Sequence, residues 1–335
     1  MTETTAPLAP EAVLDTVLPF TVPALDLRGR AVHLGPALDA ILARHAYPEP
    51  VCRLLAEAIA LTALLGTALK FEGRFILQTK TDGPVNMLVV DFQTPDGIRA
   101  HAMFDEAAVK QAILEGRTSP AELMGQGHLG MTVDQGAHMQ RYQGVVALEG
   151  ESLEEVAHVW FQQSEQIPTR VRLAVAEMLT RQGGVAKHSW RAGGVMVQFL
   201  PESEDRVRAR DLHPGDAPEG TSAPEVAVDD AWAEAEALMS TVEDVELTDP
   251  EVSAERLLYR LFHERGVRVF ETVRLVERCR CSRERVAAMI GRFTAEEIDD
   301  MVVDDKIVVT CEFCSTAYAF ARGEVGPTEK AATEN

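Results

Sequence analysis

Cys279-Arg280-Cys281 and Cys311-Glu312-Phe313-Cys314 hold four of the five cysteines of this chain, in two close pairs separated by a short, structured insert. The fifth, Cys52, lies far away in the sequence. Zn²⁺ takes four soft donors in a tetrahedron, and two close thiol pairs supply that number at the spacing of a Cys₄ site. The first pair is Cys-x-Cys, where Cys-x-x-Cys is commoner. In an extended segment residues i and i+2 face the same side, with Cα atoms near the upper limit of about 6.8 Å for a disulfide. Two readings stay open on spacing alone: a structural zinc ribbon, and a zinc-gated thiol switch whose first pair can close on itself.

Between the pairs, Ser282 suits the N-cap of a helix ending near Gly291, and Thr294 with Glu297 forms a capping box. Residues 307–310 read as a strand into Cys311, and Ser315-Thr316-Ala317-Tyr318-Ala319-Phe320 as another strand after Cys314. A region this short has little core of its own. Metal binding therefore has to supply much of its folding energy, on the order of 10 kcal/mol for a structural zinc site. Four thiolates on Zn²⁺ leave a charge of −2, and Arg278, Arg280, Arg283 and Arg285 surround the first pair. They are read either as offsetting that charge and favouring thiolate, the form oxidants attack, or as the solvated face of a small helix.

Upstream, residues 267–273 alternate like a strand that leads into the first pair. Before them come two amphipathic helices, one carrying Trp232, Ala235, Met239 and Val242 on a face, the other Ala254, Leu257, Leu258, Leu261 and Phe262. Thr248 with Glu251 suits a capping box for the second, and Gly266 its stop. Helices this short are marginal alone, so both need a docking surface. Residues 201–230 are acidic and rich in Pro and Gly, the composition of a mobile loop or linker. The first two hundred residues read as one α+β domain: helices over 36–45 and 50–69, an antiparallel meander from Gly73 punctuated by Asp82-Gly83-Pro84 and Pro95-Asp96-Gly97, further strand-like runs, a helix from Ser152 to about Gln163, and a strand near residue 200.

With 335 residues the chain is long for a single core. Its 53 acidic against 32 basic residues give a net charge of −21, which repels phosphate backbones and anionic lipid, so neither nucleic acid nor a membrane is an expected partner. No basic residue precedes Arg28, so a secretory n-region is missing and export is not expected. The apolar stretch 58–69 is far shorter than the ~20 residues that span a bilayer and reads as a core helix. A chain kept in a reducing compartment uses paired cysteines as metal ligands or redox sensors more often than as permanent disulfides. Gly125-Gln126-Gly127-His128-Leu129-Gly130 matches a dinucleotide fingerprint, but a strand-like run follows it where a helix is needed. No HExxH, no i, i+4 histidine pair on a helix and no GxSxG occur, and no catalytic or cofactor-binding residue is nominated. Cys52 sits on an apolar helix face and reads as a core residue.

Several stretches resemble a family, the redox-regulated heat-shock holdase chaperones of about thirty-three kilodaltons found in bacteria: LKFEGRFILQTKTDGPVNMLVVDF at 69–92, RYQGVVALEGESLEEV at 141–156, WFQQSEQIPTR at 160–170, LLYRLFHERGVRVFE at 257–271, and CRCSRERV at 279–286 with VTCEFCSTAYAF at 309–320. The resemblance runs from about residue 40 to 325, and the acidic stretch near 201–230 is longer than the family's usual connection. It implies a reduced, inactive monomer with one Zn²⁺ held by Cys279, Cys281, Cys311 and Cys314. It further implies that oxidation forms the disulfides Cys279 with Cys281 and Cys311 with Cys314, releases zinc and unfolds the linker, and that the active protein, commonly a homodimer, holds unfolding clients without ATP.

The expected fold is therefore α+β: an antiparallel-sheet core with packed helices over 1–200, an acidic loop and helical linker over 201–266, a Cys₄ redox-switch domain over 267–325 and a disordered tail over 326–335. The expected function is that of a cytoplasmic, oxidation-activated chaperone and not an enzyme. The rival reading is a redox-inert zinc ribbon serving as an interaction or regulatory module. A thiol oxidoreductase using Cys311 and Cys314 directly is a third, disfavoured because a strand follows the pair where a helix N-terminus is needed.

Overall fold

The computed structural model describes residues 14–68, 72–135, 142–149, 152–182, 185–200 and 229–327. Strands β1 (Thr16–Val22) and β2 (Leu27–Leu34) open it. Both of their faces are covered: Val17, Val32 and Leu34 enter one apolar cluster, while Leu18, Phe20, Val22, Leu27 and Ala31 enter a second. Helix α1 (Pro36–Leu42) follows, with Pro36 at its first turn. The Asp15 carboxylate accepts from the Gly35 and Ala37 amides at 2.8 and 2.9 Å and so fixes the helix entry.

Helix α2 (Glu49–Gly66) is buried on nearly every side, including all of 58–66, which explains why its sequence is apolar all round. It lies between two sheets. Its residues share one core cluster with Val32, Val171, Ala192 and Met196 of the first sheet and Phe75, Leu77, Leu88, Val90, Phe92 and Ala100 of the second.

Strands β3 (Arg74–Thr81), β4 (Val85–Gln93) and β5 (Gly97–Phe104) form the expected antiparallel meander. Helices α3 (Glu106–Leu114) and α4 (Pro120–Met124) lead to β6 (Gln126–Asp134) and β7 (Tyr142–Glu149), which continue the same sheet beyond β3. The glycines 125–130 thus run into a strand. Helix α5 (Leu153–Trp160) has the Ser152–Glu155 capping box and passes into a π-helical turn over 161–165. The long hairpin of β8 (Thr169–Gln182) and β9 (Val185–Phe199) completes the first sheet, in the order β1-β2-β9-β8.

The acidic stretch falls at 201–228 outside the described residues, and so does the tail from 328. Helices α6 (Asp230–Ser240), α7 (Asp244–Thr248) and α8 (Ala254–Phe262) cover the outer face of the first sheet. Trp232, Ala235, Met239, Val242, Leu257, Leu258, Leu261 and Phe262 are buried there against Phe20, Val195, Val197 and Phe199. The dock that the amphipathic pattern required is thus the back of β1, β2 and β9. A Cβ on Gly193 would lie 1.9 Å from the Leu247 carbonyl oxygen, so glycine alone lets α7 rest directly on β9.

Helix α8 ends at Phe262, and Gly266, the expected stop, closes the turn beyond it: its φ of +78° suits glycine and its amide donates to Phe262 O at 3.0 Å. Its start corrects the sequence reading. Thr248 closes α7, and Ser253 caps α8 by accepting from the Arg256 amide; the short polar side chain nearest the apolar run takes the role.

The strand expected over 267–273 is broken into β10 (Arg268–Val269) and β11 (Val273–Arg274), both antiparallel to β1, and is followed by β12 (Val276–Glu277), parallel to β5. One segment therefore stitches both sheets. Beyond it, α9 (Arg283–Ile290), α10 (Ala295–Asp300), β13 (Lys306–Thr310) and β14 (Ala317–Ala321) enclose a small cluster of Val286, Ile290, Ile298, Ile307 and Phe320. Ser282, and Thr294 with Glu297, cap these helices as their sequence demands. The architecture is mixed α+β with antiparallel sheets and a C-terminal cysteine cluster.

Candidate metal centre

Cys279 and Cys281 stand on the extended segment that leaves β12, with Arg278 N donating to Ile98 O at 3.0 Å just before them and the Ser282 N-cap of α9 just after. Cys311 and Cys314 occupy the turn from β13 to β14. There the Cys311 amide donates to Thr316 O at 3.0 Å, the Ser315 amide donates to Cys311 O at 2.8 Å, and Ser315 takes φ +55°. The two turns face each other, and the four Sγ atoms all lie within 4.8 Å of one another.

Cys279 and Cys281 are 3.4 Å apart, Cys279 and Cys311 3.7 Å, and Cys281 and Cys314 3.2 Å. Four sulfurs at about 2.3 Å from one tetrahedral ion would stand about 3.8 Å apart, so the donor set and its dimensions fit Zn²⁺. The group can hold a metal ion. All four thiols are within reach of more than one partner, so proximity by itself selects no disulfide pairing.

The sulfurs do not titrate alike. Burial pushes Cys281 up to about 12 and Cys311 upward, with neighbouring thiols adding to both. Burial also pushes against Cys314, but the Thr316 hydroxyl and backbone, with the Cys281 and Cys279 thiols, hold it down at about 6. Cys281 and Cys314 are thus pushed in opposite directions, the behaviour of like groups sharing one space. A divalent cation bound here would take the place of the thiol protons.

The arginines correct the sequence reading. None of the four near the first pair donates to sulfur: Arg278 pairs with Asp96 at 3.0 Å, Arg280 with Asp91 at 2.6 Å, Arg283 with Glu324 at 2.6 Å, and Arg285 donates to Arg280 O. The charge beside sulfur comes instead from Arg99 on β5, whose Nη1 is 3.9 Å from Cys279 Sγ. Arg99 and Arg280 share the buried Asp91, both at 2.6 Å. Arg278 and Arg280 therefore anchor the cysteine turn to the core, helped by Arg44 with Glu277 at 2.5 Å, while Arg283 and Arg285 make their contacts within the C-terminal region.

Three further groups escaped the sequence reading. The Tyr318 hydroxyl donates to Cys281 Sγ at 3.1 Å, the Thr316 hydroxyl lies 3.2 Å from Cys314 Sγ, and the Phe313 ring sits under Arg99 with Cζ 4.0 Å from its centroid. The last two are within two residues of a cysteine, and Tyr318 shares the strand β14, so position relative to the thiols was the available signal. Arg99 had none, being 180 residues from Cys279. Cys52 is buried in α2, and burial, with the Glu49 and Glu177 carboxylates, pushes its thiol up to about 11. It belongs to the core. Among the described residues no helix is long and apolar enough to cross a membrane, and the four cysteines are the one His, Cys, Asp or Glu group placed to hold a metal ion.

The family described as Hsp33 protein matches residues 15–321. A "33 kDa chaperonin" of Caulobacter vibrioides is 46% identical over 316 residues, 93% of this chain and 97% of the relative. Proteins with the same description from Pseudomonas putida and Shewanella loihica are 36% and 33% identical, covering 90% and 88% of this chain and 88% of each relative. The crystal structure of a 33 kDa chaperonin from Thermotoga maritima superposes with a TM-score of 0.69 over 92% of this chain and 96% of its own, at 20% identity, a likeness of fold.

Proposed function

The chain belongs to the Hsp33 family of chaperones, and from that premise we propose that it is a redox-regulated, ATP-independent holdase that binds unfolding and oxidatively damaged proteins and prevents their aggregation. In the reduced, inactive state Cys279, Cys281, Cys311 and Cys314 hold one Zn²⁺. Oxidation converts the four thiols to two disulfides, Cys279 with Cys281 and Cys311 with Cys314, the pairing that the family resemblance supports. Forming each disulfide removes two electrons from a pair of thiolates, and one hydrogen peroxide takes them up with two protons as its O–O bond breaks to give two waters. The protein does not turn over a substrate, works in the cytoplasm and forms a homodimer on activation. The chain is divided as 1–200 core, 201–266 linker, 267–325 switch and 326–335 tail.

The observation that carries this reading is the position of the four-sulfur cluster, which closes a region whose buried core is five side chains. A core that small supplies at most a few kcal/mol, against on the order of 10 kcal/mol from a bound structural zinc. Thiols locked as disulfides no longer bind the ion, and the region loses most of what folds it. Arg278 and Arg280 then lose their fixed places on Asp96 and Asp91. The linker helices, each 11 residues or shorter, are left tethered on one side only. Their departure bares Phe20, Val195, Val197 and Phe199 on the sheet and the apolar faces of the helices themselves. Apolar surface attracts other apolar surface without direction, at about 25 cal/mol per Å².

The test is to warm the zinc-loaded chain mildly with peroxide and follow metal release together with light scattering from a heat-denaturing client protein. Metal release accompanied by suppressed scattering supports the reading. Release with no suppression refutes it, and metal that resists the oxidant favours the redox-inert ribbon.

A further inference from the structure

The reduced switch region covers a particular place on the core, and what it places there has the form of a ligand. Val276 and Glu277 add to the free edge of β5 in parallel, with Val276 N donating to Asp96 O at 2.9 Å and Arg278 N to Ile98 O at 3.0 Å. This is an extended peptide augmenting a sheet edge. The Glu277 carboxylate takes both Arg44 nitrogens at 2.6 and 2.5 Å. Phe313 lies with its ring 4.0 Å from Arg99 Cζ and edge-on to His101 at 5.6 Å, while its carbonyl faces His45 Nε2 at 3.4 Å. Glu312 reaches within 3.8 Å of His101. Beside these contacts a cleft of about 500 Å³ stays open between Tyr47, Phe104 and the cysteine turn.

We propose that the edge of β5 with Arg44, His45, Arg99 and His101 is a docking groove for an extended client segment that carries a carboxylate close to an aromatic ring, and that the switch region occupies it as a built-in substitute until it unfolds. The inference rests on the chaperone reading and deepens it by naming what is bound. Of the groove's two arginines, Arg99 is already paired with Asp91 in the core, whereas Arg44 takes its carboxylate, Glu277, from the switch. An Arg over an aromatic face and a bidentate Arg–carboxylate pair are recognition contacts that flexible apolar surface alone does not provide. When the switch leaves, Asp96 and Asp91 lose Arg278 and Arg280 while Arg44 loses Glu277, so Arg44 is the point at which the carboxylate of an acidic, aromatic-bearing segment is drawn in.

The probe is a fluorescein-labelled decapeptide alternating Val, Glu and Phe, titrated by anisotropy against the full chain in its oxidised and its reduced, zinc-loaded forms. The oxidised chain should bind it at least about tenfold more tightly than the reduced chain, and the same peptide with Lys for Glu should bind about tenfold less tightly. In the oxidised form, Arg44→Ala with Arg99→Ala should weaken binding by about tenfold or more. Because those changes touch the core, a second pair is made in the switch region: Glu277→Ala with Phe313→Ala should raise peptide binding while the chain is still reduced. Equal affinity for the Glu and Lys peptides, undiminished binding by the arginine variant, or no gain from the switch variant each overturns the inference. If the oxidised chain suppresses client aggregation while any of these outcomes holds, the chaperone reading stands and only the groove falls; if it suppresses nothing, the reading itself has failed.

Discussion

Gly193→Ala isolates the linker dock from everything else. The added methyl carbon would lie 1.9 Å from Leu247 O, 2.7 Å from Leu247 C and 3.1 Å from Leu247 Cα. All three are backbone atoms, so no side-chain rotamer relieves the clash. Alanine suits the extended backbone of β9, and the strand has no need to move. Helix α7 must instead retreat by about 1.5 Å to reach ordinary contact, which separates buried Leu247 and Val242 from the sheet. Overpacking of this kind costs about 1–3 kcal/mol, or roughly a fivefold to 150-fold rise in the population with the linker undocked. Native-state hydrogen exchange on the reduced, zinc-loaded chain measures it directly. Amides of α6 and α8 should exchange faster by that factor, while those of β4 and α2 keep their protection. Unchanged linker protection, or a uniform loss in which β4 and α2 fall equally, refutes the reasoning that the linker is a separately docked unit.

Three other outcomes are expected. Trp232→Ala removes a side chain buried against Phe199, with ring centroids 6.0 Å apart, and should cost the dock about 3–5 kcal/mol, lowering the temperature and peroxide dose at which holdase activity appears; an unchanged threshold contradicts it. Cys311→Ser should weaken zinc binding and leave amides of α9, β13 and β14 unprotected even under reducing conditions, and retained protection there contradicts the metal's folding role. Glu57→Gln tests a half-buried carboxyl that loss of solvent, with Glu154 beside it, raises from 4.5 to about 7. Between those values the folded chain keeps a proton that the unfolded chain has lost, so this group makes stability fall as pH rises from about 4.5 to about 7 and stay level above. The variant should therefore gain up to about 3 kcal/mol in urea unfolding at pH 8 and little at pH 4, whereas equal effects at both pH values refute the assignment.

What the sequence disclosed, and what it hid, follows from how far apart the partners lie. The cysteine pairs, the Ser282 cap, the Thr294–Glu297 box and the Gly266 stop are local devices, and each stands where the sequence puts it. Helix α2 and the meander β3–β5 were legible because an apolar run and turn residues are strong short-range signals. Strands β1 and β2 were passed over because both faces are buried, which erases alternation, and β1 carries Pro19. Strand β8, with Leu173, Ala174, Ala176, Glu177, Met178 and Leu179, is rich in helix formers and is a strand through its pairing with β9. The alternation of 267–273 was seen, but not that it splits into two pairings with β1. At the metal centre the four cysteines were legible and their surroundings were not. Arg278 and Arg280 were noticed as charge near sulfur, yet their partners Asp96 and Asp91 lie 182 and 189 residues away, and only the fold shows that they hold the cysteine turn in place.

The central claim is that one metal ion held by four thiols keeps the chaperone surface covered. Zinc content and total free thiols, counted in denaturant on one sample before and after peroxide, test it most directly when a client-aggregation assay is run beside them. One zinc and five thiols are expected in the idle chain, and no zinc and a single remaining thiol, the buried Cys52, in the active one. A chain isolated with all five thiols, no bound metal and a folded, protected C-terminal region would contradict it, as would holdase activity that rises while zinc and thiols stay in place.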